Sequence, residues 1–411
     1  MNLFNYDASG RHGINRGREF KFIGSNAGNT ESGYSWNKYK GEKKGVYQGI
    51  VQNKLVNGYP KLKNGNNSSL DYLFNTTTVN GKTVYPNANH LFQRDADGYY
   101  SFDSAHNFAQ LNKSTKNFKV YNQPIDNGTE PSDPKFLPFN TLDEGDPEQT
   151  NENSDFHFGM TIHTNFIMPK DGKVNGKDMV FEFEGDDDVW VFIDGVLVLD
   201  MGGIHDNYSG SINFATGAVT VNGGSNTTLV NAFQAAGKTW DGSSYKSHTF
   251  DFFYLERGAG GSNCKLHFNL PTVPKNSLLI GKELTGIEGT AESALQDYLK
   301  NMEFKFRVLK NNTDELFLGA GKTYYLVDSV TYEPVDNVLH TIGADGIIKV
   351  KPGQIAVLKD AYSATSEQYQ VEELVEKNFN GQYGGVQYSM GAEGSHVITA
   401  EDDVVVDSQT Y

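Results

Sequence analysis

The chain is poor in cysteine, in positive charge and in uninterrupted apolar runs. A single cysteine, Cys264, excludes an intramolecular disulfide framework and any cysteine-rich zinc site. Lys and Arg total 35 against 51 Asp and Glu, a formal charge of −16. That balance excludes nucleic acid and anionic membrane as principal partners, because both reward clustered cations, whereas an acidic surface concentrates cations around itself. The longest apolar stretch, Val189 to Ile204, is broken by Asp194, Gly195, Asp200 and Gly202, so nothing in it is long enough to span a bilayer. No signal-peptide pattern is present. P-loop, nucleotide-binding fingerprint and Gly-x-Ser-x-Gly elbow are also missing, and the chain is read as a non-enzyme.

What is present points to β structure. Hydrophobic residues make up 37% and charged residues 21% of the 411, both low for a globular protein. The remaining weight lies in 44 Gly and many Asn, Ser and Thr, alongside 22 Tyr and 26 Phe. Turn formers combined with aromatics predict an all-β protein with many loops. The length suits two or three domains. A start at Met1 and an end inside a strand-like run at Tyr411 are read as a fragment of something longer.

Residues 1 to about 150 are irregular. Short strands are expected at Leu3–Tyr6 and Phe20–Ile23, a short helix at Ala105–Asn112, and a Pro- and Asp-rich loop at Asn127–Thr150. Alternation sharpens at Phe156–Phe166 and Asp178–Glu184. Asp194-Gly195 then separates two apolar runs, the strongest short hairpin signal, since a type I′ turn needs φ > 0 at both central residues. Two strands are expected within Gly210–Val221, a brief helix at Thr228–Ala236, and strands at His248–Glu256 and Cys264–Leu270. Many short, closely spaced strands predict a β-sandwich. Pro271-Thr-Val-Pro-Lys275 reads as a linker. Beyond it, strands at Leu278–Leu284, Glu303–Leu309, Lys322–Val327, Ile347–Val350, Gln354–Leu358, Tyr369–Leu374 and Asp403–Val406, with a helix at Thr290–Met302, predict a second, smaller β domain.

The run Phe183-Glu-Gly-Asp-Asp-Asp-Val-Trp-Val-Phe-Ile-Asp-Gly195 is particular, as is Asp200-Met-Gly-Gly-Ile-His205 after it. With Leu3-Phe-Asn-Tyr-Asp7 and Phe253-Tyr-Leu-Glu-Arg257 they resemble the fibro-slime domain, a branch of the PA14-like β-sandwiches, over about residues 1 to 270. The resemblance implies that Asp186 and Asp187 are joined by a cis peptide and hold calcium, which in turn binds sugar hydroxyls. In an extended strand, neighbouring side chains point to opposite faces, so adjacent carboxylates do not normally share one ion. A cis bond would turn both to one side at a cost of about 3–4 kcal/mol and crowd two like charges. A divalent cation offsets both penalties, and calcium accepts several oxygens in loose geometry with room for a diol. In that architecture a further ligand comes from the loop before the last strand, here Gly258–Cys264, with Asn263 as the best side-chain oxygen and Ser262 and backbone carbonyls as competitors. His205 and Asp206 follow a Gly-Gly turn and could line the same rim, although such a histidine more often anchors its loop. Among Trp36, Trp190 and Trp240 as sugar-stacking candidates, Trp190 reads as core and Trp240, in a loop, as the better platform.

Three further features read structurally. Asp95-Ala-Asp-Gly-Tyr-Tyr-Ser-Phe-Asp103 lacks an acidic position that a helix–loop–helix calcium loop requires and is expected to be a turn into an aromatic strand. His157 and His163 share a strand face with no third ligand nearby. Glu182 and Glu184 also share a face, and are read as solvated rather than as a pair for glycoside hydrolysis.

In the second domain, Leu278-Leu-Ile-Gly-Lys-Glu-Leu-Thr-Gly286, Phe304-Lys-Phe-Arg-Val308 and Tyr369-Gln-Val-Glu-Glu373 resemble the Cna-B-type Ig-like domain of Gram-positive pilins and adhesins. The resemblance implies a covalent bond from a first-strand lysine, Lys282, to a last-strand Asn, with a buried acid, Glu373, assisting. No Asn follows Asn380, so the expected acceptor is missing from this chain. The reading as a whole is a monomeric fragment of a secreted, cell-wall-anchored Gram-positive adhesin. Residues 1–271 would bind a cell-surface or host glycan through calcium, and residues 272–411 would form a stalk. Its rival is a structural or protein-binding surface module in which calcium only stiffens loops.

Overall fold

The computed structural model describes residues 1–6, 46–63, 69–79, 81–124, 135–141, 155–257, 261–274, 276–284, 297, 300–361 and 369–374, and the backbone alone of Val386–Ser389, Ser395–Ile398 and Gln409–Thr410. The described chain is nearly all β and divides into two compact units. The first comprises 1–166, 178–242 and 248–270, and the second 167–177, 243–247 and 271–411. The two short excursions, 167–177 and 243–247, break the contiguous division expected at residue 271. They are tied to each other by Met168 N–H to the Lys246 carbonyl (2.8 Å) and Tyr245 N–H to the Met168 carbonyl (2.6 Å). Asn175 N–H to the Val330 carbonyl (2.9 Å) and a Lys170–Glu283 ion pair hold them to the second unit.

Two sheets face each other in the first unit. One runs Val196–Met201, Asp188–Ile193, Ser247–Glu256, Phe158–Ile167, Asn2–Tyr6, Lys82–Tyr85 in spatial order, and the other Thr227–Thr228, Ala218–Val221, Tyr208–Asn213, Val180–Gly185, Cys264–Phe268, Tyr100–Asp103, Gln93–Arg94. Their inner faces interlock through aromatic rings: Phe181 lies 5.0 Å from Phe250 and Phe183 6.1 Å from Phe252, centroid to centroid. Val180–Gly185 alternates because its other face meets water. Asp188–Ile193 is buried at every position. Its outer face is covered by a third layer in which Ile50, Val51, Leu62, Leu73 and Phe74 pack on Trp190 and Phe192. A strand buried on both faces reads as a continuous apolar run, which is what Val189–Ile193 is. At its far end Asp194 and Gly195 take φ of 49° and 71°, the conformation the hairpin requires. The expected helix at Thr228–Ala236 forms over Leu229–Ala235, capped by Thr228, whose hydroxyl accepts the Asn231 N–H at 3.1 Å.

The helix expected at Ala105–Asn112 does not form. Asp103 Oδ1 accepts the Ala105 N–H (2.9 Å) and closes a turn, and Phe108–Leu111 is a strand paired with Phe118–Tyr121. Local side-chain capture of the backbone outcompetes helix nucleation there. The Asp95 loop is the expected turn: Asp95 Oδ1 accepts the N–H groups of Asp97 and Tyr99, both at 2.9 Å. The expected strands at Phe20–Ile23 and Asp403–Val406, and most of the Thr290–Met302 helix, lie outside the described residues.

The second unit has two four-stranded sheets, Leu278–Lys282, Gln354–Leu358, Thr323–Asp328, His340–Thr341 and Ile348–Val350, Phe304–Lys310, Tyr369–Leu374, Gln409–Thr410. Ile280, Phe306, Val308, Leu326, Ile348 and Val371 form its core.

A candidate cation site

Asp186 and Asp187 are the crossing between the two sheets of the first unit, since Gly185 ends a strand of one and Asp188 begins a strand of the other. Their peptide is trans, unlike the cis bond the resemblance implied; the reversal is made by Asp187 at φ 59°. A left-handed residue redirects the chain without a strained peptide. Both oxygens of Asp186 accept main-chain N–H groups, from Ser262 at 2.6 Å and Asn263 at 2.5 Å. Gly261 permits this approach, because a Cβ there would collide with the Asp186 carboxylate. Asp187 Oδ2 accepts the Arg257 N–H at 2.8 Å. Asp188 accepts the Gly203 N–H at 2.6 Å and the Arg257 guanidinium at 2.5 and 3.3 Å.

A fourth carboxylate, Glu256, completes the cluster. It shares a hydrogen bond with the Asp187 carboxyl, accepts the Tyr254 hydroxyl at 3.2 Å, and its carbonyl accepts the Tyr6 hydroxyl at 2.6 Å. Asp186, Asp187, Asp188 and Glu256 are 7%, 3%, 0% and 1% exposed, and the positive charge among them is Arg257. Four carboxylates therefore face one guanidinium away from water. Burial, then the neighbouring Asp187 charge, pushes Asp186 up to about 8. Burial raises Asp187 too, against the pull of Arg257, and holds Glu256 well above the carboxylate range with the charges of Asp187 and Asp186 adding to it. All the donors are hard oxygens, the ligand chemistry of calcium. Among the described residues no three His, Cys, Asp or Glu side chains converge as a ready-made metal cage. The carboxylates are turned to amides and Arg257, with lone pairs to spare on each.

The other residues singled out in the sequence fall in different places. Asn263 meets Asp186 through its backbone, its N–H donating and its carbonyl accepting the Asp186 N–H at 3.3 Å. Ser262 adds its own N–H, and its hydroxyl donates to the Phe136 carbonyl at 2.8 Å. His205 is buried at the same end of the unit, its Nδ1 2.8 Å from the Asp206 carbonyl and its Nε2 3.3 Å from that of Met201. Asp206 beside it is exposed. Trp240 does not join them. Its ring stacks on His248 (4.6 Å, 25°), and His248 Nδ1 bonds Asp194 Oδ2 (2.7 Å) at the hairpin tip. That tip is the opposite end of the six-residue strand Asp188–Ile193, on the order of 20 Å from Asp187. Trp190 is core, fully buried with Nε1 donating to Asp200 at 3.1 Å, and Trp36 lies outside the described residues. Asp188, Glu256 and Arg257 lie within the motifs that carry the resemblance but have no site role in the sequence reading. Their signal was available, as charges ending or opening otherwise apolar strands.

In the second unit Lys282 and Glu373 do come together. The ammonium donates to both carboxylate oxygens at 2.9 and 3.1 Å, 4.3 Å above the centroid of the Phe304 ring, and the two residues are 8% and 3% exposed.

No family model matches the chain. Three curated proteins of Dictyostelium discoideum are similar to parts of it: psiF, 35% identical over 149 residues, 34% of this chain and 19% of psiF; psiI, 30% over 208 residues, 48% and 24%; and psiB, 34% over 162 residues, 38% and 22%. The chain thus spans about a fifth to a quarter of these relatives. Among solved structures, a glycosyl hydrolase family 2 member from Bacteroides cellulosilyticus aligns at 13% identity and TM-score 0.18, over 69% of this chain and 34% of its own. A β-glucuronidase from Ruminococcus gnavus in complex with D-glucuronic acid aligns at 12% and 0.18, over 72% and 45%. Scores this low carry no argument about fold or activity.

Proposed function

We propose that the first unit binds a calcium ion at Asp186 and Asp187 and, through it, a cell-surface glycan, as an extracellular adhesive module. The observation that carries this reading is the charge imbalance: four buried carboxylates beside one guanidinium, with the acids pushed upward by burial and then by one another's charges. A bound dication would neutralise that excess and offer open positions to sugar hydroxyls. Asp186 and Asp187 would hold it, while Arg257 keeps Asp188 fixed and the Ser262 and Asn263 amides fix the orientation of Asp186. His205 and Asp206, at the same end, would border the sugar. Such a shallow site binds modestly, and many copies on one surface raise avidity.

The test is a glycan array probed with calcium and again with EDTA, in parallel with Asp187→Ala. Calcium-dependent signals lost in the variant are expected. Binding that survives chelation removes the mechanism. Calcium that raises thermal stability while every glycan stays silent supports the rival, a surface module whose loops the ion stiffens.

A further inference from the structure

The outward face of the second sheet carries a continuous polar row. Strand registers place Gln93 opposite Ser101, Ser101 opposite His267, His267 opposite Glu182, Glu182 opposite Ser211, and Ser211 opposite Thr220. Six strands thus present one hydrogen-bonding side chain each in a line of about 24 Å, at the strand spacing of ~4.8 Å. All six are half-exposed or exposed, with no aliphatic residue among them. The adjacent inward row, Phe102, Leu266, Phe183, Gly210 and Val221, is buried, so the alternation is clean.

The side chains of this row are already positioned by one another. His267 Nδ1 lies 2.8 Å from Glu182 Oε2, and the hydroxyls of Ser211 and Thr220 are 2.7 Å apart. Tyr99 stacks on His267 at 4.4 Å and 10°, which adds a flat aromatic element. The polar groups of the face are engaged with one another: Glu182 bonds the His267 ring, in the next row Lys265 pairs with Asp103 at 3.5 Å, and Glu184 takes an amide hydrogen from Asn207 at 3.1 Å. A nucleic acid would find no net positive field. A protein partner would find no apolar centre to bury. A neutral chain of hydroxyl groups would find alternating donors and acceptors held in place beforehand, which lowers the ordering cost of binding.

From this face we infer that the first unit has a second, cation-independent site for an uncharged polysaccharide chain lying across the strands, centred on Glu182 and His267. It is separate from the carboxylate cluster and does not rest on the calcium reading. The experiment is retention of the full chain on insoluble cellulose, chitin and granular starch in EDTA, which silences any calcium site. The wild type is expected to be retained on at least one of the three. Glu182→Ala/His267→Ala, exposed positions whose folding is checked by circular dichroism, is expected to weaken that retention about tenfold or more. Ser211→Arg, which obstructs the middle of the row, is expected to do the same. No retention of the wild type on any of the three overturns the inference, and so does retention of both variants at the wild-type level.

Discussion

The two units each bury ionised groups, and they do so with opposite balance. In the second, one ammonium meets one carboxylate, and both carboxylate oxygens are used. In the first, one guanidinium stands among four carboxylates, and burial, with the neighbouring charges adding to it, raises the acids' hold on protons. A matched pair is complete in itself and acts as a staple between strands. An unmatched cluster is a standing cost unless something cationic joins it, and for that reason the functional proposal rests on the first unit.

The largest expected effect breaks the only positive charge in the unmatched cluster. Arg257→Met leaves Asp188 buried without its guanidinium, and a loss of about 3–5 kcal/mol is predicted in urea unfolding of the first unit. A loss below about 1 kcal/mol would mean that the cluster tolerates its charge and that the contrast between the units is unreal. Adding Asp188→Leu is predicted to restore little, because three carboxylates remain. In the second unit Lys282→Met is predicted to cost a similar ~3–5 kcal/mol, but there Lys282→Met/Glu373→Leu should recover most of it, since a balanced pair can be exchanged for apolar residues. If the double variant is as weak as the single, the pair is more than a staple.

Calcium sharpens the contrast next. At a hundredfold excess over its dissociation constant it is predicted to add about 2.7 kcal/mol to the first unit and nothing to the second, read by calorimetry as movement of one transition only. Asp187→Asn should abolish that response yet leave the calcium-free protein at least as stable as wild type, because it removes a repelling charge. A calcium response that persists in Asp187→Asn would displace the ion from this residue.

The smallest effect concerns Asp200, whose carboxyl accepts the Gly49 N–H at 2.7 Å and the Trp190 indole N–H. Burial pushes it up to about 7 from 3.8. Between those values the folded form holds a proton that the unfolded form has lost. Its stabilising contribution is therefore complete below about pH 4 and disappears as pH rises through 7. Asp200→Asn is predicted to flatten the fall in stability across that window by on the order of 1 kcal/mol, the side chain being partly open to water. Parallel pH profiles for wild type and variant would remove Asp200 from the account.

Much of the fold was legible locally. Alternation located Phe158–Ile167 and Val180–Gly185, and Asp194-Gly195 located a hairpin, because turn conformation and strand alternation are set by residues a few positions apart. The Asp186-Asp187 pair was marked by the resemblance that its flanking residues carry, and the structure puts it between two strands. Trp240 stands apart from Asp187 because a full strand, Asp188–Ile193, separates the two loops, and local sequence does not show at which end of a sandwich a loop lies. The Ala105–Asn112 helix failed because Asp103 captures the Ala105 amide. The excursions 167–177 and 243–247 gave no local sign, since what holds them to the second unit is contact between segments far apart in the chain, Lys170 with Glu283 and Asn175 with Val330.

Composition and short-range pattern were enough to establish an all-β chain, and the crossing between sheets at Asp186 and Asp187 came only with the tertiary structure. Tertiary packing alone brought Glu256 and Arg257 against that crossing, turned Asp187 through a left-handed residue instead of a cis bond, and aligned six polar side chains from six strands into one row. These are outcomes of strand register and burial, which arise when distant segments compete for the same core, and charge acquires its strength only once that core has excluded water.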